Sequence, residues 1–314
     1  MHKIPAKAPS GGIFRTVPLL GSYAHTGHVL LLGALFAFYR ALDERDTRRW
    51  LWFLFGLVQA GWSFVFQARS VYLGILLSIM VVLLFLGWRK VLALTASFAL
   101  AFSAFLLVIG SLNHAGVPIQ GRIGPVTPDF YWGHLSSVWL AFIPEAEVPA
   151  QAEVPAQAEV PALGSARWRF DVWRQALEHW LATPGTVIWG EGFGQPLIDF
   201  MAYGAVVRQP HNTHLTILAR LGLIGFALWA WMQLRLLELF WRTLKRIPTA
   251  PERILVVWLL LFYLNGILET SVQPWLEFSY GAIPFFTVMG FALALMRREV
   301  VPNRGLFDAH SPRP

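Results

Sequence analysis

The sequence predicts an all-α fold, a polytopic transmembrane helix bundle of about seven spans, with one large loop outside the cytoplasm that contains an amphipathic helix. Hydrophobic residues make up 56% of the 314 residues and charged residues only 14%, whereas soluble domains carry about 25% charged residues. The apolar residues occur in blocks of roughly 18–25, the length that crosses a hydrocarbon core of about 30 Å. Membrane lipid is therefore the expected surrounding of most of the chain.

Seven apolar blocks are predicted to be membrane-spanning helices, at 22–41, 50–67, 70–88, 91–110, 214–241, 253–271 and 278–297. They divide the chain into four transmembrane helices within 1–110, a loop over 111–213, three further helices within 214–297 and a cytoplasmic tail over 298–314. Internal Gly and Pro are compatible with such helices, because neighbouring helices satisfy the backbone groups that these residues free.

Basic residues predict the orientation of the helices. They cluster between the first and second helices, after the third, between the fifth and sixth, and after the seventh, at Arg40, Arg45, Arg48, Arg49, Arg89, Lys90, Arg242, Lys245, Arg246, Arg253, Arg297, Arg298, Arg304 and Arg313. All four clusters fall on one side, which the positive-inside rule makes the cytoplasm. The loop over 111–213 and the amino terminus then lie outside. Because the first twenty residues do not resemble a signal peptide, we expect either that the chain lacks an upstream set of helices or that Lys3, Lys7 and Arg15 are tolerated outside.

Charge and cysteine content exclude several other classes of function. The net charge of +7 is concentrated in the clusters that flank apolar blocks, so it indicates membrane topology and not nucleic-acid binding. The chain contains no Cys, so neither a disulfide framework nor a thiolate metal site is predicted.

Two segments of the outer loop have distinct patterns. Residues 145–162 repeat the hexad EVPAQA, and proline at every sixth position forbids a continuous helix, so an extended spacer is expected. Residues 165–182 predict an amphipathic helix that lies on the membrane surface or caps the bundle, with Ser165 as its amino-terminal cap. The predicted apolar face of this helix consists of Trp173, Ala176, Leu177 and Trp180.

Two arginines on the outer side are candidates for binding an anion. Arg69 follows a very tight turn between the second and third helices. It either snorkels to lipid phosphate or has a function, since arginine at the membrane opposite the basic clusters is costly. Arg169 begins the amphipathic helix. It either belongs to a solvated face with Arg167 and Arg174, or binds a pyrophosphate in the bidentate manner that lysine cannot reproduce.

The segment QPHNTHLTILARLGLIGF carries two histidines at the boundary of a predicted spanning helix. His211 is followed directly by Asn212, and a neutral imidazole at that place can take a proton from a sugar hydroxyl. His214, one helical turn further, competes for the same role. Gly222 and Gly225, three residues apart, are interpreted as small residues that let helices pack closely in lipid.

Upstream of the histidines, the EGFG stretch at Glu191–Gly194 predicts a flexible turn. A lone Gly-x-Gly is weak evidence, and no phosphate-binding loop pattern surrounds it.

In order along the chain, these elements resemble those of the O-antigen ligase and O-antigen polymerase superfamily of bacterial membrane glycosyltransferases. The ligase signature is His, then Asn, Ser or Gln, then nine residues and Gly-x-x-Gly, which this chain reproduces without a gap at His211, Asn212, Gly222 and Gly225. Other features of the family are matched by Arg69, Arg169 four residues before Trp173, Pro184 and Gly192–Gly194. The resemblance covers about residues 15–295.

The resemblance implies a reaction at the periplasmic side of the bacterial inner membrane. A glycan carried on undecaprenyl pyrophosphate is transferred to an acceptor hydroxyl, such as that of lipid A-core, with inversion and without a metal or other cofactor. His211 is then the base and Arg69 and Arg169 bind the donor pyrophosphate, with activity falling as the pH drops through the imidazole pKa, near 6.5 unless the site shifts it. Supporting roles are expected for Asn212, His214, Glu191 and Arg174, and a minor one for Asp199.

The residues leave several alternatives open. Within the enzyme class they are a polysaccharide polymerase and a protein O-oligosaccharyltransferase. Outside it, a polytopic transporter would use Arg69 and Arg169 to bind an anionic lipid in transit, and an inactive remnant would only stabilise a partner complex. A transporter predicts internal repeats and broken helices at mid-membrane, and the sequence shows no convincing repeat.

Overall fold

A computed structural model describes residues 24–117, 126–127, 129–131, 161–202, 205–207, 209–247 and 250–300. Its elements are, in chain order, α1 (Ala24–Asp43), α2 (Arg48–Val65), α3 (Arg69–Leu86), α4 (Trp88–His114), α5 (Pro161–Trp180), α6 (Pro184–Trp189), β1 (Phe200–Ala202), β2 (Ala205–Val207), α7 (Thr213–Arg246), α8 (Ala250–Val272), a 3-10 turn (Trp275–Glu277) and α9 (Ser279–Val300). The predicted spacer over 145–162 lies outside the described residues except for its last two positions, which begin α5.

Helices occupy the places of all seven predicted spans, so the helical class is confirmed for the part of the chain that the structure describes. Four of them contain stretches long and apolar enough to cross a membrane: Arg69–Leu86, Trp88–His114, Thr213–Arg246 and Glu252–Val272. A shorter apolar stretch, Gly281–Arg297, lies within α9. The count of seven spans and the outward placement of the long loop stay predictions.

The chain divides into two compact units, one formed by residues 1–75 and 93–164 and the other by residues 76–92 and 165–314. In the first unit α1 packs closely against α2. The Phe38 ring of α1 also meets the Phe98 ring of α4 edge-on, with centroids 5.3 Å apart. The first unit is therefore held together by apolar and aromatic side chains.

In the second unit, Arg253 of α8 stabilises the ends of two other helices. Its guanidinium donates to the backbone carbonyls of Leu244 (2.8 Å) and Ile247 (3.1 Å) at the end of α7. It also donates to the carbonyl of Phe85 (3.3 Å) at the end of α3. The last carbonyls of a helix have no partner within it, so this arginine, one of the predicted topology-setting charges, also acts as a helix cap.

The helix α7 is not the uninterrupted span predicted over 214–241. Trp229 Nε1 donates to His214 Nδ1 at 3.1 Å, although fifteen residues of straight helix would separate these positions by about 22 Å. The backbone leaves the helical region at Gly222, with φ 64° and ψ −167°. The helix therefore turns sharply at this glycine, and only its second part, 223–246, has the length to cross a membrane.

Two local features between α4 and α7 differ from the sequence prediction. The strands β1 and β2 form an antiparallel ribbon, pairing Phe200 with Val207, which the sequence analysis did not predict. The helix α5 begins at Pro161 and ends at Trp180. Ser165 consequently lies inside the helix, and its predicted capping role is wrong. Proline suits the new start, because a residue in the first turn has no partner for its N–H in any case.

Candidate functional site

His211 lies in the link between the β ribbon and α7, half-buried. Its φ of 51° is in the left-handed region, which is uncommon for residues other than glycine. The next residue, Asn212, caps α7, since its side-chain oxygen accepts a hydrogen bond from the Leu215 N–H at 3.1 Å. Asparagine is among the best residues for this role. The cap fixes where the helix begins and so holds His211 just outside its first turn.

The helix α5 holds the same link from the other side. Trp173 Nε1 donates to the backbone carbonyl of Pro210, the residue before His211, at 2.8 Å. Behind this bond lies a small buried core formed by Val172, Ala176, Ile198 and Leu215. The helix therefore packs on the first turn of α7, which favours the predicted bundle-capping role over a position on the membrane surface alone.

The predicted apolar face of α5 is only partly right. Val172 and Ala176 are fully buried, and Trp180 Nε1 donates to the Val187 carbonyl of α6 at 3.2 Å. Leu177, which the pattern assigned to the same face, is exposed. The buried stripe is thus centred on the pair 172 and 176, which are one helical turn apart.

The structure separates Arg169 from its basic neighbour Arg174. Arg174 is exposed, at 69% of its side-chain surface, and it pairs along the helix with Asp171 at 3.3 Å and Glu178 at 3.9 Å. It therefore belongs to a solvated helix face. Arg169 is half-buried, and its positive charge acts on the imidazole of His211. Of the two arginines, only Arg169 is thus brought to the predicted base.

The environment of His211 keeps its imidazole neutral. Burial, and secondarily the charge of Arg169, lower the pKa of His211 to about 4, because both disfavour a second positive charge. The site therefore shifts the pKa of this histidine below the ordinary value near 6.5. At neutral pH the ring is in the form that can accept a proton.

His214 has a different role, because both of its ring nitrogens are engaged. Nδ1 accepts from Trp229 Nε1, so the proton of the neutral ring resides on Nε2. Nε2 lies 3.2 Å from Thr270 Oγ1 and 3.5 Å from the Ile267 carbonyl, both on α8. His214 thus connects the two parts of the bent α7 to α8, a structural arrangement that leaves little opportunity for proton transfer.

The bend at Gly222 is built against the segment that follows α6. The N–H groups of Glu191 and Gly192 donate to the carbonyls of Ala219 (2.8 Å) and Arg220 (2.9 Å), which the break in α7 has freed from their usual helical partners. A Cβ on Gly222 would lie 2.2 Å from the Ile188 carbonyl oxygen. Gly222 is thus needed for a close backbone contact, and the helix that it lets approach α7 is the short α6, through Ile188.

The EGFG turn is held by Arg220 and is not the flexible turn that was predicted. Arg220 Nη1 donates to the carbonyls of Gly192 (2.8 Å) and Gln195 (3.2 Å). The Glu191 carboxylate lies 3.9 Å from His179 Nδ1. Asp199, the other acidic candidate, is exposed. Sequence reasoning missed Arg220. A single basic residue within a predicted span gives no sign that its side chain donates hydrogen bonds to the backbone of a distant turn.

Arg69 belongs to the first unit, where it begins α3 after the tight turn that the sequence predicted. Only three residues separate α2 from α3, and Gln67 among them is fully buried, with a φ of 51°. The Tyr131 hydroxyl donates to the Phe64 carbonyl at 2.9 Å, at the end of α2. The turn that presents Arg69 is therefore fixed by buried contacts.

The apolar helices define this chain as a membrane protein, and hydrogen bonds from α5 and within the first turn of α7 hold the link that carries His211. Over residues 50–230, more than half of its length, the sequence matches the O-antigen ligase family. The chain therefore belongs to this family, which is one of membrane glycosyltransferases of the O-antigen ligase and polymerase type. Neither the curated proteins nor the solved structures give a match.

Proposed function

We propose that this chain is a ligase that transfers a glycan from undecaprenyl pyrophosphate to an acceptor hydroxyl, such as that of lipid A-core, on the periplasmic side of the inner membrane. The observation that carries the proposal is the half-buried His211, whose imidazole is neutral and feels the positive charge of Arg169. A base and an anion-binding cation are the two groups that displacement of a pyrophosphate by an alcohol requires. The nine residues between Asn212 and Gly222 favour a ligase over a polymerase or a protein O-oligosaccharyltransferase.

The proposed reaction is a single displacement. The acceptor oxygen forms a bond to the anomeric carbon on the face opposite the pyrophosphate, and the bond from that carbon to the pyrophosphate oxygen breaks. The proton of the acceptor hydroxyl passes to the imidazole of His211. The bonding pair leaves with undecaprenyl pyrophosphate, whose added negative charge is stabilised by guanidinium groups. One displacement inverts the configuration of the anomeric carbon.

Arg169 and Arg69 are the proposed pyrophosphate ligands. A guanidinium presents a planar fork that matches two phosphate oxygens at once and stays charged at any physiological pH. Arg169 also lowers the pKa of His211, so a bound pyrophosphate would offset that charge and strengthen the base. Purified protein incubated with the lipid-linked glycan and lipid A-core tests the proposal directly, and absence of a glycosylated acceptor would reject it.

Arg169→Lys is expected to lower the rate of glycan transfer by at least about 10-fold, because lysine keeps the charge but loses the bidentate contact. Arg174→Lys is the matched control on the same helix, and its rate should equal that of the wild type, since Arg174 is solvated. Initial rates at equal amounts of folded protein measure the difference. A wild-type rate for Arg169→Lys would show that Arg169 does not bind the pyrophosphate in a bidentate manner and is a solvated charge.

The predicted topology can be tested with single cysteines, since the chain has none. Glu178→Cys, on the exposed face of α5, should react with a membrane-impermeant maleimide in spheroplasts. Lys245→Cys, near the end of α7, should react only after the inner membrane is permeabilised, because its segment is predicted to be cytoplasmic. Labelling of Lys245→Cys alone in intact spheroplasts would reverse the orientation.

A further inference from the structure

A cavity of about 230 Å³ in the second unit lies beside the first turns of α7. Four polar side chains line it: Thr213, Thr216, Arg220 and Glu277. The remaining wall is apolar and includes the rings of Phe193 and Phe286. The volume is below the roughly 300–1,000 Å³ of pockets that hold drug-sized ligands, so the cavity suits a group of about one ring.

Glu277 is the carboxyl group of this cavity, and it lies outside the span that matches the family. Its Oε1 accepts a hydrogen bond from Thr216 Oγ1 at 3.0 Å. The same hydroxyl lies 3.1 Å from the carbonyl of Asn212, next to the proposed base. A hydroxyl has one proton, so these two acceptors share it. A carboxylate can accept about four hydrogen bonds, which leaves Glu277 the capacity to bind further donors.

Aromatic side chains complete the wall. The guanidinium of Arg220 lies 5.4 Å from the centroid of the Phe193 ring, and its bonds to the carbonyls of Gly192 and Gln195 fix the turn that carries this ring. Phe193 is 77% exposed and Phe286 50% exposed. Both rings therefore remain accessible to a ligand.

This combination of groups matches the chemistry of a sugar. The hydroxyls of a sugar ring donate to a carboxylate, and its apolar C–H face packs on an aromatic ring, whose face carries partial negative charge. We propose that the cavity binds a sugar ring of a glycan-bearing substrate, with Glu277 accepting hydrogen bonds from its hydroxyls. The proposal rests on the transfer reaction proposed above, and the ring belongs either to the donor glycan or to the acceptor core.

Binding of three probes to the purified full chain, measured by microscale thermophoresis, distinguishes these sources. The probes are undecaprenyl pyrophosphate without sugar, the glycan-bearing donor and delipidated core oligosaccharide. Glu277→Gln is expected to weaken binding of one sugar-bearing probe by about 10–100-fold, the range for a lost hydrogen bond to a charged group. Binding of undecaprenyl pyrophosphate should not change. Loss for the donor alone assigns the cavity to the donor glycan, and loss for the oligosaccharide alone assigns it to the acceptor.

Two further variants complete the test. Glu238→Gln, which removes a carboxylate paired with Arg235 and Arg242 on the far part of α7, should bind all three probes normally. Leu276→Trp narrows the cavity without changing the carboxyl and should give the same selective loss as Glu277→Gln.

Unchanged binding of both sugar-bearing probes by these cavity variants, or an equal loss of all three probes, would overturn the proposal. Failure of the wild type to bind undecaprenyl pyrophosphate would instead count against the transfer reaction. Whether or not the wild type binds undecaprenyl pyrophosphate, the two sugar-bearing probes show whether the cavity binds a sugar ring.

Discussion

His211→Ala is expected to lower the rate of glycan transfer by about 10²–10⁴-fold, the usual contribution of a general base, while binding of the lipid-linked donor stays close to that of the wild type. The imidazole acts on the acceptor hydroxyl, so its removal leaves the pyrophosphate contacts in place. Donor affinity and single-turnover rate, measured on the same preparation, separate these two effects. Loss of donor binding together with activity would mean that His211 holds the structure and does not take the proton.

Two other histidines serve as controls for this variant. His179→Ala removes an exposed imidazole from α5, with 57% of its side-chain surface accessible, and should leave the transfer rate unchanged. His214→Ala removes the side chain that connects Trp229 to Thr270, so a lower melting temperature is its primary expected effect. If His214→Ala is folded but inactive while His211→Ala turns over, the base has been assigned to the wrong histidine.

The pH dependence of the wild type supplies an independent readout of the same assignment. Because the pKa of His211 is lowered to about 4, the imidazole is neutral above that pH, and kcat/KM should fall only as the pH drops through about 4. The bound pyrophosphate is negative and favours the imidazolium. The acid limb of kcat, which reports the complex, is therefore expected at a higher pH than that of kcat/KM. A limb near 6.5 in kcat/KM would contradict the buried environment of His211.

The positions of the helices could be predicted from the sequence because an apolar block of sufficient length has one stable arrangement in lipid. Arg169 and His211 could also be singled out as candidates, since family motifs mark both residues, but the effect of the Arg169 charge on the imidazole was not predicted. The exposure of Leu177 could not be predicted. Val172 and Trp173 are both apolar, so the apolar stripe can be centred on either residue, and the choice decides whether Leu177 is buried. The helices that pack against α5 decide which side of it is buried, and residue spacing does not reveal those packing partners.

Contacts between distant residues account for most of what the sequence did not show. Glu277 meets Thr216 across 61 positions of the chain, and no local pattern reports such a meeting. The pKa of His211 depends on burial by several segments, so only the ordinary value could be assigned beforehand. Gly222 illustrates a third kind of limit. Glycine can permit close helix packing or an unusual backbone conformation, and the residue type alone does not show which of these the fold uses.

Gly222→Ala is expected to remove transfer activity and to lower the yield or melting temperature of the protein. With φ 64° and ψ −167°, Gly222 occupies a backbone region that is essentially restricted to glycine, where another residue is strained by about 1–3 kcal/mol. The added Cβ would also lie 2.2 Å from the Ile188 carbonyl oxygen. That oxygen is backbone and has little freedom to move, so the bend in α7 must open. Thermal unfolding and transfer rate measure the two consequences.

Gly290→Ala is the matched control, because a Cβ at this position in α9 meets nothing within 4 Å and alanine favours a helix over glycine by about 1 kcal/mol. It should be as active as the wild type and at least as stable. Gly190→Ala tests the other side of the contact, since its Cβ would lie 2.3 Å from the Arg220 carbonyl. Because Gly190 and Gly222 serve one close approach, the double variant should lose less stability than the sum of the single losses. Additive losses would show that the two glycines act independently, and a fully stable, active Gly222→Ala would show that the bend itself is not needed.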